Sequence, residues 1–135
     1  NPQALVIVNR TVNKAQELVA LANQHQTGAV PVQGLGYEDL PGQVFDVVLN
    51  ATSASLSAQL PPIPASVFAP GCLAYDLTYG KGLTPFLKLA QQAGVTRLTD
   101  GVGMLAEQAA EAFAWWRGVR PDTQAVIDKI SVPLV

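Results

Sequence analysis

Asn9, Arg10, Thr11 and Lys14 set two cations and two neutral hydrogen-bonding side chains within six residues, directly after the apolar run at residues 4–8. Such a set suits an anion. A guanidinium offers paired donors in one plane and matches a phosphate geometrically, and the first turn of a helix adds oriented N–H groups. Lys14 follows Arg10 by four residues, which places both over the same turn. In a nucleotide-binding α/β unit the second strand normally ends in an acid that bonds a ribose 2′-hydroxyl. An arginine at that point accommodates a 2′-phosphate instead, the NADP case. The same residues also make a plain strand-to-helix corner with Thr11 as N-cap and a solvated arginine, and the local pattern alone favours that plainer reading.

Two further clusters could face a ligand. Asn50-Ala51-Thr52-Ser53 begins at the last residue of the apolar run FDVVLN, and short polar side chains at a strand end either meet a ligand or make an ordinary turn. Tyr75-Asp76-Leu77-Thr78-Tyr79 ends another apolar run, and Asp100-Gly101-Val102-Gly103-Met104-Leu105 opens a long helical pattern. Glycine at that opening fits close approach of a backbone or a ligand. By spacing alone Met104 and Leu105 read as core. Gln108 is polar within an apolar helix, four residues after Met104, and reads equally as a substrate ligand or a surface residue. Trp115 and Trp116 are expected to pack against a neighbouring element. His25, at the polar end of its helix, is expected to be solvated, and Cys72 to be a buried, unreactive thiol. No spacing of ligands suggests a metal.

These residues need elements to hold them. Residues 4–8, 45–50 and 71–77 are apolar runs of the kind buried on both faces of a parallel sheet. Residues 29–33 make a weaker strand, marked as an edge strand by Pro31, and residues 95–98 a short one. Ala15, Leu18, Val19 and Ala22 give one helical stripe. Thr84-Pro85 begins a helix that Gly94 ends, a second helix runs from Gly101 to Arg117 with Gly118 stopping it, and a last one follows Pro121-Asp122. Residues 59–70, rich in proline, are expected to be a surface loop. Strands alternating with helices imply an α/β fold with a Rossmann-like, doubly wound parallel sheet. No G-x-G-x-x-G turn follows a strand, so the sheet is expected to lack its first central strand and the chain to be truncated.

Composition sets outer limits. The 135 residues fit one core, and 49% hydrophobic with 13% charged residues indicates a folded domain. A net charge of −2 provides no electrostatic reason to bind nucleic acid or an anionic membrane. No uncharged apolar stretch approaches the ~18 residues of a membrane span, and no signal-peptide pattern opens the sequence.

Taken in order, NRT-x-x-K, NATS, YDLTY-(x)4-TPFL and DGVGML-x-x-QAA resemble the cofactor-binding half of the shikimate dehydrogenase family, over residues 9–121. The resemblance implies a cytoplasmic enzyme of aromatic amino-acid biosynthesis that reversibly reduces 3-dehydroshikimate to shikimate with NADPH. It implies an NADP-binding domain over residues 1–118 and a C-terminal helix, residues 119–135, returning toward a substrate domain. Residue by residue, Asn9, Arg10, Thr11 and Lys14 match the family's clamp on the 2′-phosphate, and Thr52 matches a residue beside the dinucleotide. Leu77 and Gly101 match positions near the nicotinamide, with Met104 and Leu105 close to it. Tyr79 and Gln108 match side chains that hydrogen-bond the substrate.

The departures carry expectations of their own. Lys14 stands where a second arginine is usual and offers a point charge in place of a planar fork, which predicts somewhat weaker phosphate discrimination without a switch to NAD. Ser55 stands where a glycine is common, and Gly80 where a bulkier residue is common. The family's proton-handling lysine and aspartate have no counterpart in these residues, so no catalytic residue is assigned and the chain by itself is expected to be inactive. A quinate/shikimate dehydrogenase fits the same motifs. Glutamyl-tRNA reductase shares the NRT-type corner but not the later segments. The competing class is a non-catalytic nucleotide- or partner-binding module, completed by a homodimer or by pairing with a missing N-terminal part.

Overall fold

The computed structural model describes residues 2–25, 30–52, 60–80 and 82–134. They form an α/β fold in which every strand pairing is parallel, as the alternation of strands and helices predicts. The chain divides into two compact units, Asn1–Gln43 with Pro62–Val67, and Val44–Pro61 with Phe68–Val135.

In the first unit β1 (Leu5–Val8) leads into α1 (Val12–His25), which returns the chain to β2 (Val32–Leu35). A parallel pair needs a long crossover, and α1 supplies it. The register runs from Leu5 opposite Val32 to Val8 opposite Leu35. Pro31 lies just before β2, where its missing N–H is harmless and its carbonyl accepts from Leu5 N–H at 2.9 Å. The helix backbone lies directly on β2: a Cβ at Gly34 would come within 3.0 Å of the backbone at Ala15 and Gln16. Ala15 is correspondingly fully buried. Gly34 therefore serves helix–strand packing. Gly34→Ala should destabilise this unit by about 1–3 kcal/mol, as overpacking does, read as a lower midpoint in urea. An unchanged midpoint would show that α1 can lift off without cost. Of the predicted stripe, Ala15, Val19 and Ala22 turn inward while Leu18 is half exposed.

The second unit holds β3 (Phe45–Asn50), β4 (Phe68–Asp76), α2 (Pro85–Gln92), β5 (Arg97–Thr99), α3 (Val102–Arg117) and α4 (Gln124–Ile130). The sheet order is β3-β4-β5. The strand β4 starts three residues earlier than the apolar pattern suggests. Phe45 faces Phe68 and Val47 faces Leu73, so the intervening residues of β4, with Pro70 and Gly71 at φ +77°, are looped out. Its core joins Cys72 and Ala74 of β4, Phe86, Leu87 and Ala90 of α2, and Val102, Ala106 and Ala110 of α3. The rings of Phe68 and Phe86 meet at a centroid distance of 6.1 Å, tilted by 54°. Thr84 caps α2 by accepting from Leu87 N–H, Pro85 occupies its first turn, and Gly118 ends α3 at φ +72°.

Several burial expectations are corrected. The runs at residues 4–8 and 45–50 read as buried on both faces, yet Val47 is 59% and Leu49 53% exposed, and Leu5 is exposed as well. Among the described residues β1 and β3 each pair along one edge only, and these side chains lack the helix cover that buries a parallel sheet on both faces. Met104 reads as core but is 40% exposed, because the inward stripe of α3 runs through Val102, Ala106 and Ala110. Trp115 and Trp116, expected to pack, are 91% and 78% exposed. His25 is solvent-facing and Cys72 buried, as expected, with burial raising the thiol's pKa. Among the described residues no helix is long and apolar enough to cross a membrane, and no grouping of His, Cys, Asp or Glu could hold a metal ion.

Candidate functional site

At the corner between β1 and α1, Asn9 continues the strand pairing by donating its N–H to Leu35 O at 3.2 Å. Its Oδ1 then accepts from Thr11 N–H at 2.9 Å, and Lys14 N–H donates to Thr11 O at 2.9 Å. The turn is thus closed by Asn9 and Thr11, while the Arg10 and Lys14 side chains stay exposed. Among the described residues neither enters an ion pair, and α1 has no acid in its first turn. Two uncompensated cations over a helix N-terminus form a site of positive potential suited to a doubly charged anion.

In the second unit the ends of β3 and β4 and the start of α3 are tied together. Asn50, buried at the end of β3, accepts through Oδ1 from Thr52 N–H (3.2 Å) and Thr52 Oγ1–H (2.8 Å), and its carbonyl accepts from Leu77 N–H at 3.0 Å. Asp76 is fully buried at the end of β4; its Oδ1 accepts from Thr78 N–H at 3.1 Å and its Oδ2 from Thr84 Oγ1–H at 2.6 Å. Asp100 Oδ1 accepts from Val102 N–H at 3.1 Å and so begins α3. Gly101 N–H donates to Thr78 O at 3.3 Å. A Cβ on Gly101 would lie 2.1 Å from Leu77 O and 3.2 Å from a ring carbon of Tyr79.

The structure therefore brings Leu77, Tyr79 and Gly101 into direct contact, with Met104 and Leu105 following within the first turn of α3. Thr52 is tied in through Asn50. Gln108 lies one turn beyond Met104 on the same side of α3 and is exposed, as Tyr79 is. The residues Asn9, Arg10, Thr11 and Lys14 form their own group in the first unit. Ser53 and Ser55 lie outside the described residues.

Sequence reasoning passed over two features. One is the joint role of Asp76 and Thr84; the available signal was a carboxylate closing an otherwise apolar strand. The other is a clasp on α3. Glu107 accepts from Arg120 and Thr123, and Glu111 accepts from Arg120 at 2.8 Å, joining α3 to the segment that leads into α4. The Thr123 hydroxyl first, and the Arg120 guanidinium second, lower the pKa of Glu107. A carboxylate with a depressed folded-state pKa contributes its stability above the unfolded value and loses it as pH falls through the folded one. The clasp should therefore persist through the ordinary glutamate range, near about pH 4.3, and loosen only below it. Tryptophan fluorescence of Trp115 and Trp116 against pH checks this, and a transition above that range would refute it.

Comparison with known proteins identifies the family. The family model of the shikimate 5′-dehydrogenase C-terminal domain matches residues 101–130. The NADP-dependent shikimate dehydrogenase of Nitrosospira multiformis is 57% identical over 126 residues, which cover 93% of this chain and 44% of that protein. A crystal structure of an Ael1 enzyme from Pseudomonas putida is 57% identical with a TM-score of 0.86, over 100% of this chain and 48% of that one. Shikimate 5-dehydrogenase from Thermus thermophilus, solved with NADP(H) and shikimate, is 29% identical with a TM-score of 0.69, over 91% and 43%. The chain spans about half the length of the curated relatives it matches, 44% and 47% in the first two. On these grounds the chain belongs to the shikimate dehydrogenase family and corresponds to its C-terminal part.

Proposed function

We propose that this chain forms the NADP-binding and part of the substrate-binding surface of an NADP-dependent shikimate dehydrogenase, which interconverts 3-dehydroshikimate and shikimate. The observation that carries the cofactor choice is the corner at residues 9–14, where two cations that enter no ion pair among the described residues occupy the position of the usual ribose-binding acid. The donor set fits: Arg10 and Lys14 hold the 2′-phosphate, and Asn9 and Thr11 shape the turn beneath it. Thr52, Leu77, Gly101, Met104 and Leu105 bound the remainder of the cofactor. NADPH, when bound, supplies the hydride. Tyr79 and Gln108 hydrogen-bond and orient the small-molecule substrate, which is the contribution that proximity makes to such a transfer. No proton-handling group is assigned to this chain.

Residues 1–118 constitute the cofactor domain in this reading. Residues 119–135 carry the returning C-terminal helix, α4, a reading supported by its exposed apolar side chains Val126 and Ile130. The one-sided pairing of β3 and the exposure of Val47 and Leu49 support a further strand there, from another part of the protein or from a second copy. A cytoplasmic setting follows from the biosynthetic role. The full-length protein carrying this chain should reduce NADP+ with shikimate as co-substrate, far faster than with NAD+. Faster turnover of quinate would move the assignment to a quinate/shikimate dehydrogenase, and no turnover of either would favour the non-catalytic module.

A further inference from the structure

The segment between β4 and α2 carries Leu77 and Tyr79, and it contains two glycines in the left-handed region, Gly80 at φ +82° and Gly82 at φ +67°. Such a return has little stiffness of its own. Backbone bonds from Leu77 N–H to Asn50 O and from Gly101 N–H to Thr78 O fix its start, and one carboxylate ties its start to its far end. Asp76 is 0% exposed, and a buried carboxylate persists only where its oxygens are hydrogen-bonded. Oδ1 takes the N–H of Thr78, two residues on, and Oδ2 takes the hydroxyl of Thr84, eight residues on. Both ends of the return are thus staked to one side chain. The Thr84 hydroxyl donates to Asp76 and accepts from Leu87 N–H at 3.2 Å, so its direction is set by an acceptor-only group on one side and the helix on the other. On either side of Thr78 the Leu77 carbonyl and the Tyr79 ring rest on Gly101.

We infer that Asp76, acting through Thr78 and Thr84, is a positioning residue for the substrate side of the site, holding Tyr79 in place over Gly101. The inference rests on the functional reading above, in which Tyr79 binds substrate. A cap on α2 needs only the Thr84 hydroxyl and Leu87, so capping alone does not account for a buried acid at this point. The 2′-phosphate corner shares none of these bonds and belongs to the other compact unit, so substrate and 2′-phosphate binding should respond separately.

Asp76→Asn in the full-length protein tests this. The amide keeps an oxygen for Thr78 N–H but presents a donor to the Thr84 hydroxyl, whose proton then loses its acceptor while the cap on Leu87 remains available. Shikimate kcat/KM should fall about tenfold or more, with the Kd for NADPH, measured by titration calorimetry, within about twofold of the unmodified protein. Thr84→Val should reproduce the loss and Thr84→Ser, which retains the hydroxyl, should restore most of it; should Asp76→Asn not fold, this pair gives the same reading. Equal losses for shikimate and NADPH, or a lower melting temperature with shikimate kcat/KM unchanged, would overturn the positioning role. If Tyr79→Phe lowers shikimate kcat/KM while Asp76→Asn and Thr84→Val do not, the functional reading stands and this inference falls. If the unmodified protein turns over no shikimate, both fall.

Discussion

Arg10→Ala in the full-length protein should raise the Kd and KM for NADPH about 10- to 100-fold and leave those for NADH nearly unchanged. A hydrogen bond to a charged group is worth about 1.5–3 kcal/mol, and each 1.4 kcal/mol is roughly tenfold in affinity. The selectivity follows from what Arg10 lacks. Among the described residues it has no acid partner in an ion pair, so its removal leaves no buried charge and disturbs no fold-supporting bond. NADH lacks the 2′-phosphate and has nothing to lose there. Lys14→Ala should act in the same direction but more weakly, since a compact ammonium makes no bidentate contact. Competition by added phosphate or higher ionic strength should mimic the substitutions, because the corner is exposed and its field is screened. Equal losses for NADPH and NADH would refute the phosphate-binding role of this corner.

Gly101→Ala should be the most damaging single methyl in the second unit. The backbone at Gly101 is ordinary, φ −79° and ψ 4°, so alanine meets no conformational penalty there. The obstacle is contact: the new Cβ would stand 2.1 Å from Leu77 O and 2.8 Å from Leu77 C, both backbone atoms that cannot swing aside. Relief requires the Leu77–Tyr79 segment and the start of α3 to separate, breaking the bond from Gly101 N–H to Thr78 O. Overpacking of this kind costs about 1–3 kcal/mol, and here it displaces the residues proposed to face cofactor and substrate. Turnover should therefore fall by more than about 100-fold, with a modest drop in melting temperature. Gly103→Ala provides the control, because a Cβ there meets nothing within 4 Å. It should leave stability nearly unchanged, and a comparable loss from it would show that helix rigidity, not the Leu77 contact, is at issue.

Local chemistry was legible from the residues themselves wherever it depended on near neighbours. The helix at α2 was marked by Thr84-Pro85 and closed by Gly94, and α3 was closed by Gly118, because caps and stops are settled within a few residues. The corner at residues 9–14 was likewise readable, since its charges, turn and helix start are consecutive. The alternation of apolar runs and helical stripes established the α/β class and the parallel pairing. Boundaries slipped where a bulge intervened: the looped-out stretch around Pro70-Gly71 hides the true start of β4, since a Pro-Gly break resembles a loop.

Only the tertiary structure decided which apolar residues are covered. Val47, Leu49, Met104, Trp115 and Trp116 share the composition of core residues, but burial depends on which neighbours arrive on each face, and periodicity records only which residues share a face. The same holds for Gly101 and Gly34. Spacing left close approach of a backbone and of a ligand equally open at Gly101 and gave no partner for Gly34, whereas the structure shows each pressed against backbone from elsewhere in its unit. Asp76 and Thr84 make the point most directly: eight residues apart and ordinary singly, they become one device only because β4 and α2 bring a carboxylate and a hydroxyl to 2.6 Å in a site closed to water.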